Sequence, residues 1–231
     1  MKILNNPIYF VNSILDRNTR NVIKSSIEPK ETWLDLGCGT KPYEEIFNKR
    51  NIVYVGLDIE VSGRGPELKN QDLTYDGYNI PFPDNHFDGV LSTQVLEHVN
   101  NDVRIISEIF RVLKPNGKVI ITVPFCYPEH EKPYDYRRFT TFGIKQSFES
   151  IGFEDLQITK QISSLQTIAT LFAVYVYNNL TLPLPKIGGF LSSIIYMPVL
   201  FFSYFLSKIL PDNKDLYLAI ILTGKKSKNK F

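Results

Sequence analysis

The feature that most constrains the fold is a pair of glycines set directly behind an apolar strand. Glu31 to Leu36 is expected to form a short strand running into Gly37-Cys38-Gly39, where the backbone turns sharply with no room for side chains. A helix is expected from Pro42, because proline suits the first helical position and Glu44 and Glu45 suit the positive end of the dipole. Ile52 to Leu57 then forms a second buried strand that stops at Asp58, 21 residues beyond Gly37, where an acid can accept hydrogen bonds from a ribose diol. Strand, glycine turn, helix, strand and acid make a nucleoside-binding arrangement. The dinucleotide fingerprint requires a third glycine near the pyrophosphate, and Thr40, Lys41 and Pro42 stand there instead, which disfavours a nicotinamide enzyme. Asp35, just before the turn, would repel a pyrophosphate and suits a ligand carrying positive charge.

The alternation continues along the chain. A weak third strand is expected near Leu68 to Leu73, a turn at Pro81-Phe82-Pro83, and a fourth strand over Phe87 to Ser92. Asn101 can cap a helix with an apolar stripe of Val103, Ile106, Phe110 and Leu113, which Lys114-Pro115-Asn116-Gly117 terminates. Val119 to Val123 makes a fifth strand, and a polar, aromatic loop from Cys126 to Phe139 leads to a helix over Thr141 to Ser150, capped by Gly152. Residues 8 to 27 carry helical periodicity, for one or two helices ahead of all this. The fold class is therefore α/β, with a doubly wound, mostly parallel sheet. Its ligands bind beyond the carboxyl ends of the strands. A length of 231 residues fits one domain with a satellite, and 26 basic against 24 acidic side chains exclude the strong basic bias of a nucleic-acid binder. Cys38 and Cys126 form no CxxC, and no His/Cys pair has ligand spacing, so neither a metal site nor a disulfide scaffold is expected. Asn5-Asn6-Pro7 interrupts the apolar start, so the chain is expected to stay in the cytoplasm.

Trp33-Leu34-Asp35-Leu36-Gly37-Cys38-Gly39-Thr40 closely resembles the first motif of class I S-adenosylmethionine-dependent methyltransferases. Ile80-Pro81-Phe82-Pro83-Asp84-Asn85-His86-Phe87-Asp88, Leu96-Glu97-His98-Val99 and Arg111-Val112-Leu113-Lys114-Pro115-Asn116-Gly117-Lys118 are similar to the small-molecule branch called type 11. The resemblance covers residues 31 to 160 and implies S-adenosylmethionine as cofactor. It implies that Asp35, Gly37, Cys38 and Gly39 line the methionine end, that Asp58 holds the ribose hydroxyls, and that Ile59 covers one adenine face. By the same resemblance Asp72 and Leu73 meet the adenine edge, while Thr93 and Gln94 sit beneath the sulfonium. Lys41 departs from the pattern, since many members keep a third glycine there. Cys38 suits a small space-filler better than a nucleophile, having no histidine nearby in sequence.

Methyl transfer to a hydroxyl is helped by a base, and of the three histidines His130 is favoured, with His98 second and His86 placed at the surface. His130 belongs to the loop after the fifth strand, where acceptors enter such a sheet. In that loop Tyr134 and Tyr136 can stack on a sugar or ring, and Asp135, Arg137 and Arg138 can bind a polar or anionic group; the competing reading is an internal ion pair from Asp135 to one of the arginines. The His, Pro, Asp-Tyr, Arg and Thr pattern resembles methyltransferases associated with bacterial surface polysaccharides, which implies a sugar hydroxyl as acceptor.

The C-terminal third carries no charge over residues 161–185 and 187–207, and 21 helical residues at 1.5 Å each extend about 31 Å, close to the thickness of a bilayer core. Leu156 to Ile162 is expected to pair with Tyr217 to Thr223 in a terminal antiparallel hairpin that carries this apolar helical insertion. The expected divisions are a helical lid over 1–28, the cofactor-binding core over 29–162, the insertion over 163–213, a last strand over 214–224 and a basic tail over 225–231. Two uses of the insertion compete: a helical pair in or on the inner face of the membrane, serving a lipid-linked acceptor, or a lid and homodimer surface. Either accommodates a small-molecule acceptor, a quinone included, and a cofactor-binding protein without catalysis is the remaining alternative.

Overall fold

Trp33, Leu34, Asp35 and Leu36 are all buried, as a strand covered on both faces requires, and they belong to an inner strand of a seven-stranded sheet. The computed structural model describes residues 7–63, 65, 68–181, 184 and 187–228. Its strands are β1 (Thr32–Leu36), β2 (Val53–Ile59), β3 (Leu73–Tyr75), β4 (Phe87–Thr93), β5 (Leu113–Pro124), β6 (Phe153–Gln161) and β7 (Ala219–Lys226). Their order is β3-β2-β1-β4-β5-β7-β6. The pairs β1 with β2, β1 with β4, β2 with β3 and β4 with β5 are parallel. The order reverses between β1 and β4, the switch point at which such sheets bind ligands. The last hairpin is antiparallel: the Leu218 amide bonds to Gln161 O, while Gly224 lies against Leu156, so the partners run in opposite senses. The helices are α1 (Pro7–Ser26), α2 (Glu44–Asn48), α3 (Asp102–Val112), α4 (Thr141–Ile151), α5 (Ser164–Thr181) and α6 (Gly188–Leu206).

Several local expectations hold to the residue. Asn101 caps α3 by accepting from the Arg104 amide, α4 opens at Thr141, and Gly152 ends α4 in the left-handed conformation; Thr140, not singled out from sequence, caps α4 by accepting from the Gly143 amide. Others shift. The N-terminal segment is one helix, and residues 1–6 lie outside the described residues. β3 starts at Leu73, where the sequence suggested that it ended, because the Asn70 and Asp72 amides bond to Gly39 O and Gly56 O before the ladder begins. Lys114 to Gly117, expected only to stop α3, belongs to β5, and the register with β4 breaks between Phe87 and Gly89 to absorb it. The basic tail is shorter than expected. Lys225 and Lys226 lie in β7, with the Lys226 ammonium donating to Leu113 O and Asn85 Oδ1, and residues 229–231 lie outside the described set.

The chain forms two compact units. One, Thr19–Thr159 with Ile220–Phe231, contains nearly all of the sheet. Its core packs Ile23, Ile27, Trp33, Phe47, Leu91, Ile120 and Ile221. Arg111 of α3 pins the Pro81 turn in this unit by donating to Ile80 O, Phe82 O, Asp84 and Glu108. The other unit is Met1–Asn18 with Lys160–Ala219. There α5 and α6 pack through Ala169 and Ala173 against Tyr196 and Leu200. Asp212 ties the far end of the pair to its start by accepting from the Ser164 amide and hydroxyl.

Candidate active site

At the carboxyl ends of β1, β2, β3 and β4 lies a cleft of about 440 Å³, within the roughly 300–1,000 Å³ usual for small-molecule sites. The β1 turn supplies Gly37, whose φ of +73° and contact with Val95, 2.3 Å from where a Cβ would stand, leave no place for a side chain. The Gly37 and Cys38 amides bond back to Leu57 O. At the end of β2, Asp58 accepts from the Gly39 amide at 2.9 Å and from the Ile59 amide at 2.8 Å. This holds the carboxylate at the cleft edge and leaves it lone pairs for a ligand. Ile59 lines the same wall, and Gln94, at φ +56°, closes the end of β4 with its amide bonded to Thr122 O. The lining carries the carboxylates Asp58, Glu60, Asp76 and Glu131 and the ammonium of Lys69, a balance that attracts positive charge.

Gly37, Asp58, Ile59 and Gln94 thus meet at one cleft, whereas Asp35, Cys38, Gly39, Asp72, Leu73 and Thr93 do not line it. Asp35 sits beneath the turn, fully buried, accepting from the Tyr54 hydroxyl through one oxygen and leaving the other without a partner. Burial pushes its carboxyl up to about 7, against the Tyr54 hydrogen bond and with help from Asp58. Cys38 is a buried free thiol packed against Gly56, and burial raises its pKa far above the ordinary value. Asp72 is committed elsewhere: it takes the Lys41 ammonium and the Gly56 amide, while Leu73 is exposed. Contrary to what the resemblance implied, Asp72 and Leu73 are therefore not where this cleft gets its β3 wall. Tyr75, Asp76, Gly77 and Tyr78 provide it. The sequence hid this because the ladder starts later than its apolar residues suggest.

Lys41 itself explains the missing third glycine. Its φ is +55°, so the backbone keeps the left-handed form that glycine usually supplies. Its side chain runs across Gly56, where a Cβ would come 2.6 Å from Lys41 Cε. Burial works against the Lys41 charge, but the Asp72 hydrogen bond together with the charges of Asp72 and Glu44 outweighs it and holds the pKa above the ordinary lysine value.

The loop after β5 divides in two. Tyr134 and Tyr136 line the cleft. Asp135, Arg137 and Arg138 serve as internal struts, which corrects the expectation that they bind substrate. Arg138 grips Asp135 at 2.5 and 2.7 Å, and Arg137 holds Asp102 and Asn100 O. His98, on a short 3-10 turn over Leu96–His98 after β4, lines the cleft, and His130 does not. The His130 ring stands edge-on to His98 with centroids 4.8 Å apart, and burial followed by His98 lowers its pKa. Glu97, fully buried behind His98, was missed from sequence. Neither of its carboxylate oxygens bonds to another residue, and burial pushes its pKa up to about 8.

A family model described as a methyltransferase domain (Methyltransf_11) matches residues 34–121. Demethylmenaquinone methyltransferase of Symbiobacterium thermophilum is 43% identical over 137 residues, covering 53% of this chain and 51% of that protein. The uncharacterized protein MJ0638 of Methanocaldococcus jannaschii is 37% identical over 90 residues, 39% of each chain. The match to these relatives thus spans about half of their length or less. Among solved structures, the 4+2 cyclase SpnF superposes with a TM-score of 0.61 at 22% identity, covering 93% of this chain and 82% of that one. Phosphoethanolamine N-methyltransferase 2 of Haemonchus contortus, in complex with phosphomonomethylethanolamine and S-adenosylhomocysteine, superposes with a TM-score of 0.58 at 19% identity over 91% of this chain and 52% of that one. The fold is the Rossmann-like fold of class I methyltransferases.

Proposed function

We propose that the chain binds S-adenosylmethionine in the cleft beyond β1 and β2 and transfers its methyl group to an oxygen of a small or lipid-linked acceptor. The observation that carries this reading is Asp58, clamped by the Gly39 and Ile59 amides at the edge of a cleft that also holds Gly37, Ile59 and Gln94. The residues fit the group in two further respects. A Cβ at Gly37 would invade the turn, and the orphaned Asp35 oxygen with the acidic lining suits a cation. The bound sulfonium supplies an already activated methyl group, so the protein has mainly to position the acceptor, worth at most about 7–11 kcal/mol.

In this reading Asp58 accepts the two ribose hydroxyls, Ile59 covers the base, and Gly37 admits the ligand against the backbone. Tyr134 and Tyr136 hold the acceptor by stacking, which a sugar face or a quinone ring both satisfy. His98 and Glu131 are the ionisable groups on the acceptor side of the cleft, and a proton acceptor among them adds about 10²–10⁴-fold to transfer onto a hydroxyl.

A sugar hydroxyl of cell-surface glycan biosynthesis is the acceptor we favour, on the resemblance of the 128–140 loop. The demethylmenaquinone methyltransferase relative supports a second reading, a quinone or other apolar ring. Both agree with membrane contact through α6, the one helix among the described residues long and apolar enough to cross a bilayer. Incubation of the detergent-solubilised chain with methyl-labelled cofactor and a membrane-lipid plus cytosol extract tests the reading. Label in a lipid fraction with stoichiometric release of S-adenosylhomocysteine is expected. Retention of cofactor without release of product from any fraction would instead favour a binding protein without catalysis.

A further inference from the structure

Behind the His98 wall of the cleft, Glu97, His98 and His130 bring one carboxylate and two imidazoles together, their donor atoms all within 4.8 Å of one another. Three features distinguish this group from an ordinary polar cluster. Glu97 is 0% exposed with neither carboxylate oxygen bonded to another residue, an arrangement that is unfavourable unless something else satisfies it. His98 Nδ1 lies 2.8 Å from Tyr134 O, which fixes that nitrogen as the donor and leaves Nε2, buried and without a hydrogen-bond partner, facing Glu97 at 4.0 Å. His130 Nδ1 faces the Asp135 carboxylate at 3.3 Å, and Arg138 holds that carboxylate in place. A ring with one nitrogen held by a carbonyl or carboxylate and the other left for an ion, as His98 is held through Nδ1, is how metal-ligating histidines are oriented by their outer partners.

We infer that Glu97, His98 and His130 bind a divalent cation of the zinc class. Two imidazoles and one carboxylate suit Zn²⁺, Co²⁺ or Fe²⁺ better than Mg²⁺ or Ca²⁺, which take oxygen donors. The donors stand wider than the roughly 3.4 Å of a closed tetrahedral site, an open arrangement that an ion draws together by side-chain rotation. Three protein ligands leave one position for an exogenous oxygen, as in catalytic rather than structural zinc sites. His98 borders the cleft, while its Nε2 is buried on the Glu97 side, so the ion would sit behind the cleft wall. There it would hold the His98 ring, and with it the Glu131 carboxylate 4.0 Å away, in a fixed place on the acceptor side of the cleft. This last role rests on the methyl-transfer reading, whereas the metal site rests on geometry alone.

The test is Co²⁺ titration of the chelator-stripped full chain, followed by visible absorption, with Zn²⁺ as competitor and S-adenosylhomocysteine binding measured calorimetrically on the same preparations. One equivalent of Co²⁺ should bind, displaceable by Zn²⁺. Glu97→Gln, which keeps the buried shape, and His130→Asn, at a half-buried ring, should each weaken it by about 100-fold, the upper end of what loss of an outer partner alone does. Failure of the wild-type chain to take up one equivalent, or equal uptake by variants whose thermal melts are intact, overturns the site. Binding of S-adenosylhomocysteine without Co²⁺ would refute the metal and leave the methyl-transfer reading standing. Binding of Co²⁺ without S-adenosylhomocysteine would do the reverse.

Discussion

At the scale of single residues, Lys41 shows how one side chain replaces the conformational freedom of a glycine. It adopts the left-handed backbone, and its ammonium joins the β1 turn to the Asp72 carboxylate ahead of β3. The conformation and the ion pair can be separated by substitution. Lys41→Ala loses the pair and keeps the strained backbone; Lys41→Gly loses the pair but relieves the backbone. The glycine variant should therefore be the more stable of the two by about 1 kcal/mol, measured by denaturant unfolding. A second residue-scale effect belongs to Asp35, which faces Tyr54, Asp58 and Lys41. Its unfolded pKa is 3.8 and its folded pKa about 7, so between those values the folded chain binds the extra proton. Stability from this group is full below the unfolded value, falls as pH rises toward 7, and levels off above it. Asp35→Asn should flatten that slope in melting temperatures taken from pH 4 to 8. Because only the ionised form attracts a cation, affinity for S-adenosylmethionine should increase as pH rises through 7 and lose that dependence in the same variant.

At the scale of elements, α6 is the least explained by its own unit. Phe190, Ile194, Phe201, Phe202 and Phe205 are 65%, 57%, 75%, 62% and 57% exposed, although Tyr196 and Leu200 on another face are packed against α5. The hydroxyls of Ser192, Ser193 and Ser203 bond to carbonyls three residues earlier, so these side chains are satisfied without water. Such a surface is compatible with an apolar phase. Replacing Phe201 and Phe205 by aspartate should reduce co-sedimentation with anionic lipid vesicles at least tenfold while leaving S-adenosylhomocysteine binding unchanged; equal sedimentation would remove α6 from membrane contact. The elements also show what could be read in advance. The glycine turn, Asn101 and Gly152 announce themselves because capping and turn chemistry are local. β3 was misplaced because its start is decided by backbone bonds from Asn70 and Asp72 to residues far away in sequence.

At the scale of the whole molecule, the site is legible where it follows one strand and obscure where it joins several. Asp58 and Gly37 could be placed from spacing alone. Glu97, His98 and His130 could not be grouped, because 32 residues separate the two histidines and only the alignment of β4 with β5 brings their loops together. The same holds for Arg137 and Arg138, whose partners Asp102 and Asp135 settle a choice that the sequence left open. Every functional assignment still depends on the cleft beside Asp58 accepting the cofactor. Calorimetric titration of the full chain with S-adenosylhomocysteine, repeated for Asp58→Ala, tests this most directly. The account predicts a single site that Asp58→Ala weakens by about 10- to 100-fold, as expected for lost hydrogen bonds to a charged group. Absence of binding at millimolar ligand, or equal affinity in the two proteins, would contradict it.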